Sequence, residues 1–138
     1  MKLRTLFVTT CALFSIFGCK AEEAIPYNYV ILIGQETAPH WQSISVGDEF
    51  GESLSLQVFS KSPFGLIRVI WDGVEEAKFD QGGVVLARNS GRLTLVGELE
   101  TDLKLLLTKK LESGRWVLLK KEILKQGELS YALSLGHD

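Results

Sequence analysis

Short apolar segments and turn residues follow one another along most of the chain. The turn signals are Ser62-Pro63, Asp72-Gly73, Gln81-Gly82-Gly83, Asn89-Ser90-Gly91, Thr101-Asp102, Ser113-Gly114 and Gln126-Gly127. The segments around them span 54–61, 66–71, 74–80, 84–88, 92–98, 103–111, 115–125 and 129–135. Apolar and polar residues alternate most clearly in 54–58, 92–95 and 129–135, as on a half-buried strand. The pattern predicts an all-β fold, an antiparallel meander that forms a sandwich or barrel of about eight strands.

Local signals complete the predicted elements before and between these segments. The aromatic and β-branched run 27–33 predicts a first strand. A loop over 35–40, a short strand over 41–46 and an acidic turn over 47–52 follow. Asp72-Gly73 predicts a type I′ hairpin turn, because both central residues of that turn need a positive φ.

Residues 103–125 fit two structures. Leucines recur at helical spacing, at Leu103, Leu106, Leu107 and Leu111, and a helix here would make the fold α+β. Alternation of Leu103, Leu105 and Leu107 favours a strand instead. We prefer a hairpin with its turn at 112–114. That register places Lys110 opposite Trp116 and Lys104 opposite Glu122, and both are favourable cross-strand pairs.

The N-terminal segment has its own pattern. Lys2 and Arg4 precede an uncharged and mostly apolar run, which ends at Gly18 and Cys19. This run is shorter than the roughly 20 apolar residues of a membrane-spanning helix. The segment resembles the signal peptide of bacterial lipoproteins, in which a small residue precedes a lipid-modified cysteine. The resemblance covers residues 1–19 and none of the rest of the chain.

The resemblance implies an organisation for the whole chain. Residues 1–18 are then a cleaved signal peptide, 19–26 a tether carrying lipid on Cys19, and 27–138 a single β domain. Lys20 differs from the aspartate that retains such proteins in the inner membrane, so the family rule implies the outer membrane, facing the periplasm. The chain has two cysteines, and removal of Cys11 with the signal leaves Cys19 alone. Lipidation accounts for that single thiol in an oxidising compartment.

Charge is distributed unevenly. Without Lys2 and Arg4 the chain has 13 basic and 17 acidic residues, which argues against nucleic-acid binding. Basic residues concentrate in 103–125. The preferred hairpin places Lys104, Lys110, Lys120 and Trp116 on one face, suited to an anionic protein or an envelope polyanion. The alternative is that these lysines form an ordinary solvated surface.

Aromatic residues are plentiful, and most of them are expected in the core. Trp41 and Phe64 lie in or beside predicted loops and are the expected exceptions. Exposed aromatic residues on loops commonly contact protein partners.

Candidates for catalysis and metal binding are few. His40 is the best candidate base, and it has no evident partner in the sequence. Asp48, Glu49 and Glu52 offer oxygen ligands without the spacing of a dedicated calcium loop. Glu75 and Glu76 are neighbours on a predicted strand and therefore point to opposite faces. We predict no catalytic residues, no metal and no cofactor.

These observations favour a lipid-anchored binding domain of the cell envelope, without catalysis. Inhibitors, immunity proteins and envelope-assembly subunits include small proteins that combine a lipid anchor with a domain of this class. The argument for such a role is one of analogy. One alternative is a barrel that carries a small apolar ligand. A less favoured alternative is a hydrolytic enzyme that uses His40.

Overall fold

The structure, a computed structural model, describes residues 26–35, 45–51 and 62–136. Its elements are strands: β1 (Tyr29–Gly34), β2 (Glu49–Gly51), β3 (Pro63–Trp71), β4 (Val74–Gln81), β5 (Val84–Arg88), β6 (Gly91–Leu99), β7 (Leu103–Lys110), β8 (Trp116–Leu124) and β9 (Gly127–Leu135). The predicted all-β sandwich is confirmed. Residues 103–125 form the preferred hairpin, because alternate apolar side chains of β7 enter the core.

The strands form two antiparallel sheets. The five-stranded sheet has the order β2-β8-β7-β1-β5, and the four-stranded sheet has the order β4-β3-β6-β9. Strands adjacent in sequence pair directly only in the hairpins β3–β4 and β7–β8. The predicted meander order therefore holds only for these hairpins among the described strands. The other connections bring strands far apart in sequence together, such as β1 between β7 and β5.

One hydrophobic core lies between the sheets. Alternate residues of the facing strands supply it, as the period of a strand requires. Its fully buried members include Ile33 on β1, Ile67 on β3, Leu95 on β6 and Leu105 on β7. Phe64, near the start of β3, is also completely buried in this cluster. The prediction that Phe64 is an exposed loop aromatic is therefore wrong.

The five-stranded sheet is also buried on its outer face where β1 and β7 meet. Val30, Leu32, Leu106 and Thr108 belong to that face, and each is at most 3% exposed. The hydroxyl of Thr108 donates a hydrogen bond of 2.9 Å to the Val30 carbonyl oxygen. This contact satisfies the buried polar group and links β7 to β1.

Two backbone features set the strand geometry locally. Asp72 and Gly73 have φ values of 51° and 87°, which confirms the predicted turn between β3 and β4. Gly97 on β6 lies opposite Ile67, and a Cβ atom there would overlap the Leu66 carbonyl oxygen. Glycine at 97 is therefore required for the close approach of β6 to β3.

The predicted acidic turn over 47–52 contains a short strand. Glu49–Gly51 pairs with the start of β8, and Gly47 donates a 2.8 Å hydrogen bond to the Leu118 carbonyl oxygen. The turn itself begins at Val46 and Gly47. The predicted strands over 41–46 and 54–61 lie largely or wholly outside the described residues.

Candidate functional site

The structure separates the residues that were predicted to form one basic face. Lys110 lies opposite Trp116 as predicted, with its Nζ atom 5.7 Å from the centre of the tryptophan ring. Trp116, however, is only 1% exposed. The prediction that Trp116 contributes to a partner-binding face is therefore corrected, because the tryptophan lies on the predicted face but is buried there.

A β-bulge at Leu119 explains why the observed register of β7 and β8 differs from the predicted one. Thr108 pairs with Leu118, whereas Leu107 pairs with Lys120, so Leu119 is an extra residue on β8. Beyond the bulge every pair is shifted by one residue, and Lys104 lies opposite Ile123 rather than Glu122. A one-residue shift reverses the face of each following side chain. Lys120 therefore lies on the core side of the sheet, opposite to the face of Lys110 and Lys104.

Basic residues of this region have acidic or aromatic partners. Arg115 donates a 2.9 Å hydrogen bond to Glu49, Lys120 lies 3.5 Å from Glu122, and Lys125 lies 3.6 Å from Asp102. Lys109 lies 5.7 Å from the ring centre of Tyr29. Three of the seven basic residues in 103–125 thus lie beside an acid, and Lys109 and Lys110 lie over aromatic rings, so the region does not form the single basic face that was predicted.

A polar cluster closes one side of the sandwich. Glu76 is the extra residue of a bulge on β4, since Ala77 pairs with Val69 and Glu75 pairs with Ile70. The bulge turns Glu76 toward the other sheet, where it accepts a hydrogen bond from Arg88 of β5. The Arg88 guanidinium carbon also lies 4.7 Å from the ring centre of the buried Trp71. Glu75 pairs instead with Arg68 at 3.6 Å, so the two carboxylates point apart as predicted.

On the opposite side of the sandwich, β9 is the last described strand of its sheet. Within the described part of the chain, β9 pairs with β6 alone, so the backbone groups on its other side have no strand partner there. The side chains of Glu128, Ser130, Ala132 and Ser134 are exposed on this strand. We call the outward backbone edge of residues 127–135, together with these four side chains, the β9 edge.

Two residues on the core side of β9 lie beside the β9 edge. Tyr131 and Leu133 are only partly buried, although both pack against the core. Burial raises the pKa of Tyr131 above its ordinary value, and the negative charge of Glu122 on β8 raises that pKa further. Tyr131 is therefore neutral at physiological pH, and Glu122 lies near it from the opposing sheet.

The two edges of the four-stranded sheet differ in the features that prevent strand addition. β4 has a bulge and exposes Glu75, Lys78 and Asp80, and charges and bulges are common protections of a sheet edge. β9 pairs with β6 through nine consecutive residues without a bulge. Its single charged residue is Glu128. The β9 edge can therefore accept an additional strand through backbone hydrogen bonds.

Sequence reasoning identified β9 as a strand but did not identify it as a binding surface. A signal was present, because uncharged residues run from Leu129 to Gly136, with serine or alanine between the apolar residues. Three of the predicted site residues, Cys19, Trp41 and His40, lie outside the described residues. Lys104 and Lys110 are partly buried and lie on the outer face with Trp116.

Comparisons with known proteins do not assign the chain to a family. No protein-family model, no curated protein and no solved structure matches it. Among the described residues, no three His, Cys, Asp or Glu side chains form a group that could hold a metal ion. In the same ranges there is no helix long and apolar enough to cross a bilayer.

Proposed function

We propose that this protein is a lipid-anchored binding domain of the cell envelope that acts without catalysis. The observation that carries the proposal is the placement of Cys19 after Gly18, at the end of an uncharged run that follows Lys2 and Arg4. The domain's first strand begins at Tyr29. The proposed tether over 19–26 would span roughly 27 Å in extended form, enough to hold the domain clear of a bilayer.

The proposed site is the outer membrane, with the domain facing the periplasm. Lys20 after the cysteine supports this, since an aspartate there is the inner-membrane retention signal of the resembled family. An inhibitor, an immunity protein or a subunit of an envelope assembly fits this location. Each of these acts by presenting a surface to another protein.

The binding role is supported by the contrast between the two sides of the sandwich. Glu76 and Arg88 close one side with an ion pair, while on the other side the β9 edge has no strand partner among residues 26–35, 45–51 and 62–136. Strand addition to such an edge is a common mode of protein recognition. The β9 edge thus replaces the basic face predicted from the sequence as the candidate binding surface.

The packing between the sheets favours this role over a ligand carrier. A carrier of the predicted kind needs an enclosed apolar cavity. Side chains from both sheets, among them Phe64, Trp71 and Leu105, instead form one continuous cluster with at most 1% of each exposed. This arrangement is typical of a solid core.

The anchor is tested by metabolic labelling with an alkyne fatty acid. Wild-type chain and Cys11→Ser should incorporate the label, whereas Cys19→Ser should lose it and accumulate at the higher mass of the precursor. Cys11 is the matched control because it lies in the same N-terminal segment. Label retained in Cys19→Ser, or absent from the wild type, would refute the anchor.

The binding role is tested by photo-crosslinking in intact cells. A photoreactive amino acid at Ser130 on the β9 edge should form a discrete crosslinked species with another protein chain. The control position is Lys78, exposed on β4 at the other edge of the same sheet. The same species from both positions, or none from Ser130, would contradict the assignment of the β9 edge as a binding surface.

A further inference from the structure

The β9 edge is a regular, nearly uncharged template nine residues long. Its pairs with β6 run without interruption from Gly127 opposite Leu99 to Leu135 opposite Gly91. The exposed side chains in its centre, Ser130 and Ala132, are small. Neither a lysine, a proline nor a bulge protects it, although natural proteins commonly use these devices to prevent strand addition.

We propose that β9 binds β9 of a second copy of this chain, antiparallel, about a twofold axis that passes through Tyr131. In this arrangement Tyr131 of one copy lies opposite Tyr131 of the other, and this pair fixes all the other pairs. Ser130 then lies opposite Ala132, Leu129 opposite Leu133, and Glu128 opposite Ser134. The two four-stranded sheets join into one continuous sheet across the axis.

The sequence of β9 is self-complementary in this register. The register pairs all nine residues, and it places no charge opposite a like charge. The two Glu128 residues are six positions apart along the strands, or about 20 Å at the ordinary rise of a strand. Apolar residues on the core side meet apolar residues, because Leu129 faces Leu133. A twofold-symmetric contact of this kind uses the same surface on both copies.

This pairing rests on the proposed function, because it names a second copy as the chain that binds the β9 edge, and it does not depend on the lipid. Within the described part of the chain the outward backbone groups of β9 have no strand partner, and the pairing replaces their hydrogen bonds to water with a regular ladder between the two copies. An extended segment of a different protein is an alternative occupant. Such a segment would have to match β9 in length, whereas β9 of a second copy is a strand of the same length.

The test compares two double variants that carry the same number of substitutions. In Ser130→Lys/Ala132→Lys, the proposed register places lysine opposite lysine in two pairs. In Ser130→Lys/Ala132→Glu, the same register places lysine opposite glutamate in both pairs. Both positions are exposed in the single chain, so circular dichroism should show that each variant retains its strands.

The oligomeric state is measured on the full chain by sedimentation equilibrium in density-matched detergent. The wild type and the lysine–glutamate variant should be dimers, and the lysine–lysine variant should dimerise at least about tenfold more weakly. A monomeric wild type would overturn the proposal, as would equal dimerisation of the two variants. Failure of the proposed lipid anchor can be told apart from failure of this dimer, because a chain without the lipid should give the same sedimentation result.

Disulfide crosslinking in cells tests the register itself. Ser130→Cys/Ala132→Cys should form a crosslinked dimer, because residues 130 and 132 of different copies lie opposite each other. Either single substitution places the two cysteines diagonally, at a Cα separation of about 8 Å, too far for a disulfide. Equal crosslinking by the single and double variants would refute the register, and a crosslink to a different protein would refute the second copy as occupant.

Discussion

Glu76 and Arg88 form an ion pair that joins the two sheets at the side where β4 and β5 are the outermost of the described strands. Their side chains are only 9% and 17% exposed. The neighbouring pair Glu75–Arg68 lies on the outer face, with exposures of 39% and 47%. Adjacent carboxylates on one strand therefore differ in environment, because the bulge at Glu76 turns one of them inward.

Removing the buried partner should be far more costly than removing the exposed one. Glu76→Ala leaves the mostly buried Arg88 uncompensated and should lower the free energy of unfolding by about 3 kcal/mol. Glu75→Ala, the matched control, should change it by less than about 1 kcal/mol. Urea unfolding of the two variants measures the difference. Equal effects would mean that the pair does not hold the sheets together.

Substitution of Gly97 should destabilise the fold strongly. A Cβ atom at this position would overlap the Leu66 carbonyl oxygen, so Gly97→Ala must displace β6 from β3 and should cost about 3 kcal/mol. The control is Gly73→Ala, where the φ of 87° is unfavourable but a Cβ would meet no atom within 4 Å. That change should cost about 1 kcal/mol. Thermal unfolding followed by circular dichroism checks both, and comparable losses would contradict the close approach of the two strands.

Trp116 should act as a buried structural residue of the outer face and not as a binding residue. Its side chain is 1% exposed, and Trp116→Ala should cost about 3 to 5 kcal/mol of stability. Leu119→Ala, at the bulge on the same strand, removes a side chain that is 41% exposed and should cost under about 1 kcal/mol. Denaturant midpoints measure both variants. A stable Trp116→Ala variant that had lost partner binding would restore the interpretation made from the sequence.

Tyr131 should make the protein less stable in alkali. The pKa of its phenol is raised in the folded chain by burial and then by Glu122, so the folded state holds this proton more tightly than the unfolded chain. The stability from this proton is complete below the unfolded pKa of about 10 and is lost as pH rises through the folded pKa. Tyr131→Phe should remove this part of the pH dependence.

The melting temperatures of wild type and Tyr131→Phe, compared from pH 8 to pH 11, measure that contribution. At pH 8 the variant should be at least as stable as the wild type, since the buried hydroxyl has no hydrogen-bond partner among the described residues. A constant difference across this range would show that Tyr131 does not titrate differently in the two states. Glu122→Gln should weaken the effect only in part, because burial is its larger cause.

Local pattern was sufficient for much of the fold. The predicted segments 84–88 and 92–98 match β5 and β6 closely, and the Asp72-Gly73 turn has the predicted positive φ values. The pairing of Lys110 with Trp116 was also predictable, since the turn at 112–114 sets the register nearest to it. Period-two alternation and turn chemistry act over a few residues, and a sequence displays them directly.

The candidate site was much less predictable. The register beyond the turn depends on the bulge at Leu119, and that one extra residue moves Lys120 to the opposite face from Lys110. Phe64 was assigned to the surface because it follows a turn signal, yet it is buried in the core between the sheets. The openness of the β9 edge was not visible in the order of strands along the chain.

The sequence by itself determined that this chain forms strands, where most of the turns lie, and which residues alternate toward a core. Only the tertiary structure decided which strands lie at the edges, and that Glu76 faces Arg88 across the sheets. The physical reason is the range of the interactions. A strand or a turn is favoured by neighbours in sequence, whereas a bulge, a buried ion pair or an open edge depends on strands far apart in the chain.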